Sequence, residues 1–76
     1  MHNEQERIIS MINQIAENNI SAGDESAVAT IVAGHVKKFW PRRMKNMLKD
    51  YIEQGGPALH PAALQAGKQL FEESKA

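Results

Sequence analysis

There is no cysteine anywhere in the 76 residues. That removes disulfide staples, thiolate nucleophiles, zinc ribbons and cysteine-ligated iron–sulfur clusters from the chemistry open to the chain. Net charge is also missing, because nine Lys plus Arg balance nine Asp plus Glu. No overall field draws such a chain to nucleic acid or to an anionic membrane, and binding of that kind needs a local patch. No run of about 18 apolar residues is present to span a bilayer, and the segment Met1 to Arg7 is polar and acidic, unlike a signal sequence. A soluble, cytoplasmic chain is the expectation. A domain of this length buries only about 60% of the surface its unfolded form exposes, so residues 1–76 are read as a single helical domain around one small core.

What is present favours helices. Between Glu4 and Asn19 the apolar positions Ile8, Met11, Ile12, Ile15 and Ala16 recur at three and four, giving one buried stripe. Asn18, Asn19, Ser21 and Gly23 form a turn. The next helix is capped either by Asp24 or by Ser21 paired with Asp24. The second segment, Ser26 to Phe39, carries Ala27, Val28, Ala29, Ile31, Val32, Ala33 and Val36 around most of its circumference, as expected at the centre of a bundle or beneath a partner. Gly34 in its middle is tolerable where another backbone packs closely. Pro41 ends that helix or kinks it, placing Trp40 at a corner and Pro41 as the first residue of a third helix. Met44, Met47, Leu48, Tyr51 and Ile52 continue the spacing until Gly55 and Gly56 stop it. A last helix runs from Pro61 to about Glu73, with His60 as its cap, Leu59 and Leu64 as a hydrophobic staple, and Gly67 interrupting its middle. No segment alternates as a strand does. The fold class read from this is all-α, a small bundle of about four short helices.

Catalysis has no candidate residues in this sequence. His2 lies at a fraying terminus, His35 packs or hydrogen-bonds on a buried helix face, and His60 is a cap, so no two share metal-ligand spacing. The pairs Asp24–Glu25 and Glu72–Glu73 sit in polar segments where no burial would raise a carboxyl pKa. Ser10, Ser21, Ser26 and Ser74 have no arrangement of histidine and acid to activate them, and no glycine-rich phosphate loop exists. No catalytic, metal-ligating or cofactor-binding residue is expected, and no cofactor.

Charge is zero in sum but unevenly placed. Residues 1–36 balance at minus four, and residues 50–76 at minus two. Between them Lys37, Lys38, Arg42, Arg43, Lys45 and Lys49 give plus six with no acid interspersed, around Phe39 and Trp40. Three readings follow: a solvated face with Lys37 and Lys38 near a helix C-terminus; nucleic-acid binding through phosphates, with Trp40 stacking; or a protein docking surface, since Arg and Trp dominate interface energetics. Asn13–Gln14, beside Ile12 and Ile15, is either an exposed pair or a pair of amides turned to a partner's backbone. The candidate partner-binding residues are Asn13, Gln14, His35, Lys38, Phe39, Trp40, Arg43 and Met44. Three methionines, Met11, Met44 and Met47, read as core.

These residues also carry a resemblance. Met11-Ile12-Asn13-Gln14-Ile15-Ala16, an alanine-rich helix ending His35-Val36-Lys37-Lys38-Phe39-Trp40, then Arg43-Met44, Gly55-Gly56 and Leu59-His60-Pro61 span nearly the whole chain. In that order they resemble the delta subunit of NAD-dependent formate dehydrogenase. The most specific block is the His, two basic residues and Phe-Trp, followed by Arg-Met. The chain departs from the family in having Pro41 directly after Trp40 and His60, where serine is common, before Pro61. The resemblance implies a non-catalytic accessory subunit of a cytoplasmic, molybdenum- or tungsten-dependent enzyme whose larger subunits hold the metal-pterin cofactor, iron–sulfur clusters and flavin. It implies a task of stabilising or assembling that complex by contact with the large catalytic subunit. The alternative is a small helical nucleic-acid-binding protein using the basic corner Lys37 to Lys49, although overall charge predicts no nucleic-acid partner and no membrane. An isolated copy, its partner missing, is open to pairing with itself as a homodimer through the apolar second helix.

Overall fold

The computed structural model describes residues 3–73; the readings made for His2 and Ser74 lie outside them. Four helices follow in chain order: α1 (Glu4–Asn18), α2 (Glu25–Phe39), α3 (Arg42–Glu53) and α4 (Pro61–Glu73), with a single 3₁₀ turn at Ile20–Ala22. No strand occurs among the described residues. The all-α reading therefore holds, element by element.

Each boundary has a local cause. Asn3 starts α1 by accepting the Glu6 amide on its side chain at 2.8 Å, and Asp24 starts α2 by accepting from the Ala27 amide at 2.9 Å, each satisfying a donor that the helix cannot. Trp40 ends α2 in an extended conformation, as the following proline requires. Pro41 differs from expectation. It is extended and stands as the cap of α3, whose first helical residue is Arg42. At the other end of α3 the chain reverses through Gly55 and Gly56, at φ of 116° and 55°, where a Cβ is strained. The His60 imidazole then accepts the Ala62 amide at its Nδ1, 3.1 Å away, capping α4.

α2 lies chiefly against α4, and α1 against α3. The α2–α4 seam is made of small side chains: Val28, Ala29, Val32 and Val36 from one helix meet a buried row of Ala62, Ala63 and Ala66 from the other. Such residues bring two backbones close. Larger groups fill the rest of the core, with Ile8 and Ile12 of α1, Leu48 of α3, and Leu59 and Leu70 at its ends.

Two glycines exchange their expected roles. Gly34 meets nothing: a Cβ there would find no atom within 4 Å. Gly67 is the site of close approach, where a Cβ would fall 2.1 Å from Ile52 Cδ1, so a side chain in its place would have to displace the tip of Ile52 where α3 meets α4. Three more expectations change. Met11 is exposed and not in the core, because it stands at the edge of the stripe, beside Ile8 in a surface groove; Ile31 is also exposed, so α2 is buried on one side only. His35 stands in solvent, one helical turn before Phe39.

Candidate partner-docking surface

The two aromatic residues at the end of α2 have opposite fates. Trp40 is only 6% exposed and belongs to the core, whereas Phe39 is 69% exposed. The difference follows from the last turn of the helix, where Val36 points inward and the extended Trp40 turns in after it. Phe39 continues the outer face of α2, in register with Ile31 and His35 at steps of four.

That outer face comprises Ile31, Gly34, His35, Lys38 and Phe39, all exposed. The His35 and Phe39 rings are 4.9 Å apart at an interplanar angle of 49°, within the range of favourable tilted aromatic pairs. The pair orients Phe39 while leaving it outside. Ile31 extends the apolar surface one turn further, and the Gly34 position beside it is open, with no atom within 4 Å of where a Cβ would stand. Large apolar groups left in water on one helix face are a common mark of a contact surface.

The basic run splits across the molecule. Arg43 turns to α1 and makes an ion pair with Glu4, beside a groove of about 310 Å³ in which Met11 and Met44 meet Pro41. Arg42, Lys45 and Lys49 face the other way, into a groove of about 400 Å³ between α3 and α4 that also receives Lys37, Asn46, Leu70 and Phe71. The Lys45 ammonium donates to the Lys37 carbonyl at 2.9 Å, tying the start of α3 to the last turn of α2.

Asn13 and Gln14 also separate. Gln14 is exposed. Asn13 is half-buried and holds the loop before α4: its Nδ2 donates to the Ala58 carbonyl at 2.9 Å and its Oδ1 accepts the His60 amide at 2.8 Å. The Tyr51 hydroxyl accepts the Ala58 amide from the other side at 3.0 Å. The amide partner is thus a segment of the same chain. Among the described residues no three His, Asp or Glu side chains gather where they could hold a metal ion, and no polar side chain is buried.

Of the eight candidate residues, His35, Lys38 and Phe39 share one exposed face. Arg43 and Met44 border the α1–α3 groove, Gln14 is on the outside of α1, and Trp40 and Asn13 serve the fold. The α3–α4 groove was missed as a site. The spacing of Arg42, Lys45 and Lys49 at three and seven signals one helix face, but the sequence does not say that Phe71 of α4 lies beside it.

Among protein-family models, that of the NADH-dependent formate dehydrogenase delta subunit FdsD matches residues 7–66, from the first turn of α1 to the middle of α4. No curated protein matches the chain. No solved structure does either.

Proposed function

The chain belongs to the family of the NADH-dependent formate dehydrogenase delta subunit FdsD, and from that premise we propose that it is a non-catalytic accessory subunit. It stabilises or assembles a cytoplasmic, molybdenum- or tungsten-dependent complex by docking on the large catalytic subunit. The outer face of α2 makes the contact, with Phe39 as its anchor, His35 and Lys38 beside it, and Arg43 and Met44 along the neighbouring edge. Gln14 lies at the periphery, while Trp40 and Asn13 position the surface from within.

One observation carries this reading. Gly34 occupies the middle of an exposed helix face with nothing against it, where glycine costs about 0.8–1.0 kcal/mol relative to alanine. The isolated chain gains no packing from that glycine. A second polypeptide lying across α2 would gain it, because the missing side chain lets a backbone approach between Ile31 and Phe39. The flanking exposed Phe39 has the size and apolar character that dominate interface energetics. None of the described helices is long and apolar enough to cross a membrane, which suits a subunit held by protein contacts.

The test is capture of the complex on a tagged copy under gentle conditions, followed by mass identification of what accompanies it. The large formate-oxidising subunit is expected. Recovery of no dehydrogenase subunit would dispose of the proposal.

A further inference from the structure

The groove between α3 and α4 is chemically unlike the outer face of α2. Arg42, Lys45 and Lys49 stand at i, i+3 and i+7 on α3 and line one wall. Over seven residues a helix rises about 10 Å, so the three cations form a ladder with steps near one helical turn. Leu70 and Phe71 of α4 supply apolar surface opposite, and the Asn46 amide sits within the ladder. No described residue lining the groove carries a carboxylate.

The position of these cations on the helix sharpens the point. α1 and α2 each begin with a capping side chain and an acidic residue in the first turn. α3 begins with neither: Arg42 and Arg43 open it, and no side chain caps it. Cations at a helix N-terminus oppose the macrodipole. Helix stability therefore does not account for Arg42, Lys45 spends one of its donors on the Lys37 carbonyl, and an anion bound beside them would relieve both the dipole and the mutual repulsion of these cations.

We propose that this groove seats an acidic segment of the partner polypeptide, with carboxylates spaced about one helical turn apart on the α3 ladder and an apolar side chain against Phe71. The inference rests on the reading that the chain docks on the large subunit, and adds a second, electrostatic contact to the one centred on Phe39. A peptide fits better than a nucleic acid for two reasons. The opposite wall is apolar, and the sequence on both sides of the basic run is net acidic, which repels an extended polyphosphate.

The experiment compares capture of the large subunit by the wild-type chain and by the triple variant Arg42→Gln, Lys45→Gln, Lys49→Gln, in the assembled complex. Each change removes charge without reversing it, and circular dichroism checks that the variant folds. About a tenfold loss of affinity is expected. Capture by the wild type should weaken as salt rises from about 0.1 to about 1 M, where the screening length falls from about 10 to about 3 Å. A carbodiimide coupling reagent should join Lys45 or Lys49 to an aspartate or glutamate of the partner. If the wild type captures the large subunit and a folded triple variant captures it equally well, the groove proposal is overturned and the docking reading survives. If the wild type captures nothing, both fall together. Cross-links that stay within the chain overturn it as well, as does a single-stranded oligonucleotide that binds the wild type and not the variant. Should the triple variant not fold, Lys49→Gln alone is used, with the same cross-link as the deciding readout.

Discussion

The His60 amide donates to Asn13 Oδ1 at 2.8 Å across 47 positions of sequence, so one side chain in the middle of α1 fixes the entry to α4. The Asn13 side chain also donates, through its Nδ2, to the Ala58 carbonyl. Replacing Asn13 with Ala leaves a donor and an acceptor of the loop without their partner. A loss of about 1–3 kcal/mol is expected, with each kcal/mol lowering the melting temperature of a domain this size by roughly 4–8 °C. A thermal melt of Asn13→Ala that overlays the wild type would show the clamp to be ornamental.

Gly34→Ala should separate folding from docking. In the isolated chain it is expected to stabilise by about 0.5–1 kcal/mol, because helix propensity improves and the added methyl meets no atom. In the complex it should weaken capture of the large subunit, and Gly34→Leu more so. A variant that melts higher and still binds at full strength would remove Gly34 from the interface.

Phe39 and Trp40 should respond in opposite ways to truncation. Trp40→Ala opens a cavity at the end of the core and should cost about 3–5 kcal/mol, a large share of the 5–15 kcal/mol typical of small domains. Phe39→Ala should leave the melting temperature within a few degrees of the wild type and cost the complex about tenfold or more in affinity. Denaturation and capture measured on both variants decide the matter. A Phe39 variant that unfolds early, with binding intact, would make Phe39 structural.

Arg43→Ala should change the stability of the chain by less than about 1 kcal/mol. Its partner in the ion pair is Glu4, and the two side chains are 73% and 38% exposed, so water and salt screen the attraction. A Tm shift that persists at high salt would mean that the Arg43 stem, packed near Met44, matters more than its charge.

Much of this architecture is legible in the residues themselves. Asp24 and His60 are cap residues where caps are needed, and Gly55 and Gly56 mark a turn that requires positive φ. Helix periodicity identifies Ile8, Ile12 and Leu48 as core. What is not legible depends on which helix lies next to which. Gly34 and Gly67 look alike in sequence, yet of the two only Gly67 faces a neighbour, because α4 meets α3 through Ile52 and no described residue comes within 4 Å of the Gly34 Cβ position. Likewise Phe39 and Trp40 are adjacent aromatics, and the sequence reading made Trp40 the more prominent at the docking corner; the end of the helix decides that Trp40 turns inward. The basic run is continuous in sequence but divides in space, since Arg42 and Arg43 point about 100° apart on α3. The resemblance to the delta-subunit family was readable from the His35 to Met44 block, but the groove formed with Phe71 needed the helix pairing.

The small residues of the α2–α4 seam have a consequence for the protein's life in a cell. Valine and alanine remove little apolar area from water compared with leucine or phenylalanine, and a chain of this length already buries a modest share of its surface. A copy without its partner would therefore open more often than a larger domain and present itself to proteases. Binding closes that route by mass action.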